Sequence, residues 1–377
     1  MKKATFDTAM LLDVISSPCN AATGAKDRDI YHAIRFEVKD INGTLNVKCT
    51  GNNGKCEVIS YTTATSGEEL CFVVEGKRLK ALISTYNKKD PISISVTESE
   101  ILLVQNNSKQ SIKTIPIDDY PCFNDILHKD NTKAIVNTDA FLFALDRVGF
   151  ATGTDAKPIL TMVNISAKQG ILMFTATSGI VMSQFSIPAT VSGIIDTDFS
   201  ISGAVVTQFM SMKGRAKDAT LSYDKKTSQL NVGNNIINAT IANQIYPLAS
   251  ICKVIPQQKE FVNSIMIPTV KLKQAINRIG ITSDREIFNT VLKIENRGDS
   301  IVISQSNGIG NNEEIIDIDN ASANTPFVVG YTIKALSDVL NQVKGDNICI
   351  KFDSKNTTLI EDSAHTAQPM LIMPCRL

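Results

Sequence analysis

Residues able to do covalent or metal chemistry are few in this chain, and they are scattered. The three histidines, His32, His128 and His365, have no second ligand at metal spacing. Eight cysteines, at 19, 49, 56, 71, 122, 252, 349 and 375, form no Cys-x-x-Cys pair, so reduced thiols are expected rather than a disulfide framework or a zinc site. The run Gly51-Asn52-Asn53-Gly54-Lys55-Cys56 looks like a phosphate loop, but its glycines are too close and Cys56 stands where a magnesium-binding hydroxyl belongs. It reads as a hairpin turn. Asp118-Asp119 and Glu313-Glu314 are acidic pairs with no second pair to complete a two-metal site. Nothing assembles a nucleophile, a base and an oxyanion donor, so no catalysis, metal or cofactor is expected.

Binding chemistry is better represented. Basic residues sit on and beside the expected helices: Lys77, Arg78 and Lys80, then Lys213, Arg215 and Lys217, then Lys271, Lys273, Arg278 and Lys334. Acidic residues gather in strands and loops, at 98–100, 196–198 and 313–319. The 38 Lys and Arg balance the 38 Asp and Glu, which argues against a protein that coats nucleic acid indiscriminately. If the helices face one way, that face is basic. The chain closes on Pro369-Met370-Leu371-Ile372-Met373-Pro374-Cys375-Arg376-Leu377, apolar residues of the kind a protein hides or offers to a partner.

The elements that position these groups are written three times. Residues 333–343, 77–86 and 205–212 each read as an amphipathic helix followed by two alternating strands, and the helices start about 128 residues apart. Upstream, 10–16, 140–148 and 270–279 are short helices, each followed by a polar loop and a strand pair: 33–38 with 45–49, 159–165 with 171–175, and 291–294 with 301–304. The expected fold is α+β: three tandem copies of a two-layer unit with two helices on one side of a sheet. The boundaries are 1–124, 125–255 and 256–377. A chain of 377 residues with 43% hydrophobic content can give each module its own core. No segment is apolar for long enough to span a bilayer, and Asp7 and Asp13 fall where a leader's apolar stretch would lie, so a cytoplasmic protein is expected.

Three stretches of the last module resemble the C-terminal domain of the bacterial DNA sliding clamp family, the beta subunit of the replicative polymerase: Gly330-Tyr331-Thr332-Ile333-Lys334-Ala335-Leu336-Ser337-Asp338-Val339-Leu340-Asn341, Ile360-Glu361-Asp362 and Met373-Pro374-Cys375-Arg376-Leu377. In the first module Thr114-Ile115-Pro116-Ile117-Asp118-Asp119-Tyr120-Pro121 is similar to the family's exit strand. The resemblance implies a ring of two head-to-tail subunits around duplex DNA, bound without regard to sequence. It further implies tethering of the replicative DNA polymerase, the clamp loader and other proteins carrying the same short motif. Carried over by position, Leu160, Thr177, Gly179, Met182, Pro247, Val254, Leu371, Met373, Pro374 and Cys375 would line the peptide cleft, with Arg376 and Leu377 finishing its strand. Lys26, Arg28 and Lys157 would join the basic helices as DNA contacts. Ile281 and Thr282 of one subunit would meet the strand around Ile112 of the other. Departures are local: Ala176-Thr177-Ser178-Gly179-Ile180-Val181-Met182 lacks the His and Arg usual in that pocket, and Ala335 replaces a frequent Tyr. Two alternatives stay open on residues alone: a clamp-like scaffold that does not encircle DNA, and an enzyme whose site is spread across modules.

Overall fold

Among the described residues, alternation of apolar and polar residues builds four antiparallel sheets, against which seven helices pack. The computed structural model describes residues 1–23, 29–121, 123, 132–153, 157–193, 197–242, 244–253, 261–281, 291–306, 310–318, 327–353, 357–365 and 370–377. The helices are α1 (Thr8–Ala21), α2 (Gly76–Ser84), α3 (Thr138–Gly149), α4 (Gly203–Met210), α5 (Leu248–Cys252), α6 (Thr269–Ile281) and α7 (Ile333–Gln342). Two compact units result: Met1–Leu142 with Ala167–Ile171 and Pro188–Asn243, and Phe143–Ser166 with Leu172–Ile187 and Gln244–Leu377. The module boundaries expected at 124/125 and 255/256 lie outside the described residues.

The first unit holds a five-stranded sheet in the order Ser66–Gly67, Lys2–Asp7, Pro91–Val96, Glu100–Gln105, Ser108–Lys113. It also holds a nine-stranded sheet, in which Cys56–Thr63 pairs with Asn235–Thr240 in register from Ser60–Asn235 to Cys56–Ala239. Its core centres on Phe36, stacked on Phe72 at 5.0 Å and met edge-on by Phe6 at 5.7 Å, with Leu11, Val14, Ile15, Leu79 and Ile83 pressed on from α1 and α2. Asp7 starts α1 by accepting the Met10 N–H at 2.9 Å.

The expected first helix stops short of a proline, yet α1 runs through Pro18 to Ala21, because Pro18 is buried against the sheet and its carbonyl takes the Ala22 N–H at 3.0 Å. Gly51 permits this approach: a Cβ there would lie 1.9 Å from the Pro18 carbonyl oxygen. Gly51→Ala is therefore expected to destabilise the first unit by about 1–3 kcal/mol through overpacking. Urea denaturation followed by circular dichroism checks this, and an unchanged midpoint would contradict it.

The repeat has a signature that periodicity did not reveal. Helices α1, α3 and α6 each open on a buried threonine tied to the loop that follows the next long helix. Thr8 Oγ1 donates to the Asp90 carbonyl at 2.6 Å, and Thr269 Oγ1 to that of Gly345 at 2.8 Å. The Thr138 N–H donates to the Lys217 carbonyl at 2.8 Å.

In the second unit the strands Met162–Lys168, Ile171–Thr177, Val181–Pro188, Met370–Ile372, Thr358–Asp362, Asn347–Asp353 and Phe261–Pro268 hydrogen-bond in that order. A four-stranded sheet runs Asn311–Asp317, Ser300–Ser306, Val291–Asn296, Val328–Thr332. Two expectations shift. The strand predicted at 159–165 begins at Met162, since Pro158 lacks an N–H and opens a 3-10 turn, Pro158–Thr161. The exit segment of the first module is likewise no strand: it makes one bridge, Ile115 to Val73, and then a 3-10 turn at Ile117–Asp119. The Gly51–Cys56 run is the expected hairpin, with Gly54 at φ +81°.

Candidate functional site

A buried ion pair fixes the frame of the site. Arg147, on the last turn of α3, and Asp362, ending the strand Thr358–Asp362, are 2% and 0% exposed in their side chains and meet at 3.1 Å. Asp362 also accepts the N–H groups of Lys344 at 2.9 Å, Gly345 at 2.8 Å and Ala364 at 3.0 Å. Burial alone would raise its pKa; the three N–H donors and the Arg147 guanidinium outweigh that and hold it at about 2. Arg147 gives a further hydrogen bond to the Gln342 carbonyl, and its own carbonyl accepts Ser183 Oγ at 2.9 Å. Helix α3, the strand Val181–Pro188 and the strand Thr358–Asp362 are thereby locked together.

On that frame the last strand, Met370–Ile372, slots between two neighbours, pairing Met182 with Leu371 on one side and Leu359 with Leu371 on the other. Met182, Leu359 and Leu371 form a closed apolar cluster, and Ile251 of α5 packs on it half-buried. The tail continues extended: the Met373 N–H donates to the Ile180 carbonyl and the Cys375 N–H to the Gly330 carbonyl, each at 2.8 Å. The turn beside it is built by Thr177 Oγ1, which donates to the Val181 carbonyl at 2.8 Å and accepts the Gly179 N–H at 3.0 Å, with Gly179 at φ +88°. Leu160 reaches the same turn through Gly153, whose N–H donates to the Leu160 carbonyl at 2.7 Å and where an added Cβ would lie 3.3 Å from the Ser178 Cα. Tyr246 lies buried against the Thr177 main chain, where burial pushes its phenol up to about 12. Pro247 then starts α5.

Of the residues expected to line a cleft, Met182 pairs with Leu371, Thr177 holds Gly179, and Met373 is bonded to the same turn through Ile180. Met182 and Leu371 are buried, Leu160, Met373, Pro374 and Cys375 are half-buried, and Gly179, Pro247, Arg376 and Leu377 are exposed. Sequence reasoning missed Leu359, Ile251, Ile180 and Ile245. The last two are apolar and 44% and 93% exposed. Their position beside Gly179 and Tyr246 was the available signal.

The basic residues divide. Lys77, Lys157, Lys213, Lys217 and Lys271 are exposed and form no ion pair among the described residues. Arg78 pairs with Glu75 at 3.2 Å, Arg215 with Asp13, Arg278 with Glu314 at 2.6 Å and Lys334 with Asp338 at 2.5 Å. Lys80 donates to Asn20 at 2.8 Å, and Lys273 to the Val343 carbonyl at 3.0 Å. Ile281 is 70% exposed, whereas Ile112 is 5% exposed in the first core, so its side chain is unavailable to a second subunit and only the strand edge that carries it is open. Lys26, Arg28, Val254, Thr282, Cys122 and His128 lie outside the described residues. Cys19, Cys49, Cys56, Cys71, Cys349 and Cys375 carry free thiols. Among the described residues no group of three or more His, Cys, Asp or Glu could hold a metal, and no helix is long and apolar enough to cross a membrane.

Family profiles agree with this arrangement at both ends of the chain. Residues 3–124 match the profile "DNA polymerase III beta subunit, N-terminal domain" and residues 252–376 match "DNA polymerase III beta subunit, C-terminal domain". The chain belongs to this family. Family members are sliding clamps and are not enzymes. The beta sliding clamp of Haemophilus influenzae is 20% identical over 376 residues, covering 97% of this chain and 98% of that one, and a Buchnera aphidicola beta sliding clamp is 21% identical over 343 residues, covering 88% of each. Among solved structures, the DNA polymerase sliding clamp of Pseudomonas aeruginosa aligns over 100% of both chains at 15% identity with a TM-score of 0.90. That of Bacillus subtilis aligns at 19% identity with a TM-score of 0.87, covering 100% of this chain and 99% of that one. The α+β clamp fold is therefore shared by proteins whose sequences have diverged widely from this family member.

Proposed function

We propose that the protein is a replication processivity factor: two copies joined head to tail encircle duplex DNA without reading its sequence and hold a replicative polymerase by a short peptide laid in the cleft beside residues 371–377. The organisation into modules 1–124, 125–255 and 256–377 belongs to the same reading, as do a clamp loader and other factors sharing the cleft, and a cytoplasmic location on DNA. Tethering raises the polymerase's effective concentration at the primer end without chemistry by the tether, and exposed Lys77, Lys213, Lys217 and Lys271 suit exchangeable phosphate contacts.

The observation that carries this reading is a pair of complementary open sheet edges. Ser108–Lys113 is the outer strand of the five-stranded sheet and Asn311–Asp317 the outer strand of the four-stranded sheet. An open edge is a row of unpaired N–H and C=O groups that a further strand completes. Along the first, Lys109, Ser111 and Lys113 are exposed at alternate positions; along the second, Glu313, Ile315 and Asp317 are. Antiparallel pairing between copies would set Lys109 against Asp317 and Lys113 against Glu313, with exposed Ile281 and Ile315 adding apolar area. Two different surfaces meet, so the contact is head to tail.

Lys109→Glu with Lys113→Glu should weaken the dimer by about 2–4 kcal/mol, roughly thirty- to several hundredfold in Kd. Adding Glu313→Lys and Asp317→Lys to the same chain should restore it. Size-exclusion with light scattering reads both, and a dimer indifferent to the first pair would refute the edge assignment. The neutral net charge and the paired state of Arg78, Arg215, Arg278 and Lys334 favour the second reading, a scaffold that does not encircle DNA. Salt-resistant retention on nicked circular DNA, lost on linearising it, separates the two.

A further inference from the structure

We propose that the third copy of the repeat carries a second peptide seat beside the cleft, which takes an aromatic residue followed by proline from the same partner chain. The inference rests on reading the cleft as a peptide site. Each copy sends its exit segment back to bridge the strand that precedes its second helix. The Ile115 N–H donates to the Val73 carbonyl at 2.8 Å, the Ala242 N–H to that of Ser200 at 3.1 Å, and the Cys375 N–H to that of Gly330 at 2.8 Å. In the first two copies a Tyr-Pro pair follows the bridge, Tyr120-Pro121 and Tyr246-Pro247. Tyr120 folds back onto the sheet of its own copy, buried with Ala33 and Val73, and donates its hydroxyl to the Thr50 carbonyl at 3.0 Å. The Pro121 carbonyl accepts the Asn52 side-chain N–H at 3.3 Å. Tyr246 is likewise buried, against the Thr177 main chain.

Strand register carries that seat onto the third copy. Val73 pairs with Arg35 and Arg35 with Thr50; Gly330 pairs with Lys293 and Lys293 with Ser304. Gly330, Lys293 and Ser304 therefore hold the places of Val73, Arg35 and Thr50. The ion pair beside them repeats as well, Arg35 with Glu37 and Lys293 with Glu295, each at 2.9 Å. Where the first copy buries Tyr120, the third has a hollow of about 510 Å³ lined by Lys293, Ser304, Ser306, Asn311, Arg376 and Leu377. That volume falls among those of ligand pockets, roughly 300–1,000 Å³. Gly330 makes room, having no side chain where the first copy has that of Val73. Ser306, two residues beyond Ser304, matches Asn52; its hydroxyl donates to Asn311 Oδ1 at 2.5 Å, which leaves the Asn311 NH2 for a peptide carbonyl.

The rim suits an aromatic ring. Leu377 and, two residues from Gly330 on the same strand, Val328 are exposed apolar groups, and the exposed Arg376 guanidinium can lie on a ring face. The seat is also within reach of the cleft. Residues 373–377 run from the Ile180 carbonyl, which holds the Met373 N–H, to the hollow that Leu377 borders. At the rise of an extended chain this is about 13 Å, so a partner segment lying along the tail passes from cleft to seat in about four residues.

The test is fluorescence anisotropy of the full chain with labelled peptides. These are a polymerase-derived clamp-binding motif alone, the motif with Tyr-Pro about four residues before or after it, and the same extensions with Ala-Pro. One Tyr-Pro peptide should bind about tenfold more tightly than the motif alone, and its Ala-Pro counterpart should lose that gain. Ser304→Tyr puts a ring into the hollow from a strand, where aromatics are well accepted. It should remove the gain and leave binding of the motif alone as in wild type, which also shows that the variant folds. Equal affinity of all peptides for wild type, or a gain that Ala-Pro or Ser304→Tyr preserves, overturns the seat and leaves the cleft reading standing. Absence of binding by every peptide removes the cleft reading itself.

Discussion

Replacing Asp362 by alanine should destabilise the second unit by about 3–5 kcal/mol, the range found when one partner of a buried ion pair is removed. Three main-chain N–H groups, of Lys344, Gly345 and Ala364, lose their acceptor together, and Arg147 stays 2% exposed with its charge uncompensated. The strand Thr358–Asp362 also carries Leu359 into the cluster with Met182 and Leu371, so on the proposed function peptide binding should fall with stability. The pH dependence has a definite sign. The folded pKa, about 2, lies below the ordinary 3.8, so the charged carboxylate's contribution is present in full above the unfolded value and is lost as pH falls through the folded one. Wild type and Asp362→Asn should therefore differ by a constant amount near neutral pH and converge between about pH 4 and pH 2. Urea denaturation at stepped pH gives both numbers. A gap that widens on acidification would mean the pair is not the source.

Ile245→Asp combined with Ile180→Asp should leave the fold intact and cut affinity for a polymerase-derived clamp-binding peptide by at least about thirtyfold, the scale of a hot-spot loss near 2 kcal/mol. The fold is spared because these side chains are 93% and 44% exposed. Affinity should fall because Ile180, whose carbonyl holds the Met373 N–H, and Ile245, next in sequence to the buried Tyr246, are exposed apolar groups, and a peptide that covers them removes apolar area from water. Deleting residues 373–377 should have a like effect while the dimer persists, since its bonds to Ile180 and Gly330 are made by the tail itself and not by the core. Isothermal titration with the peptide and light scattering on the same samples decide the matter. Full affinity in the double variant would place the partner surface elsewhere, and loss of dimer in the truncation would show that the tail serves assembly instead.

What could be read in the linear chain was whatever a short window encodes. Helix stripes such as Leu336, Val339 and Leu340, strand alternation such as Ile348, Ile350 and Phe352, and the hairpin at Gly54 follow from periodicity and turn chemistry. Because the same grammar recurs three times, the repeat was legible without any alignment. Windows failed where a distant contact overrides a local preference: α1 runs through Pro18 because Gly51 yields the space, and Ile112 turns inward although its edge strand is otherwise polar. The amino-acid order by itself settled that the chain is built of helix-on-sheet repeats, that it carries basic helices and an apolar tail, and that it lacks a recognisable catalytic set. Only the folded chain decided that Arg147 closes on Asp362 across more than two hundred residues, which arginines are already neutralised by carboxylates, and which edges stay open. Pairing partners far apart in sequence are chosen by burial and hydrogen-bond completion in three dimensions, and neither leaves a periodic trace in the chain.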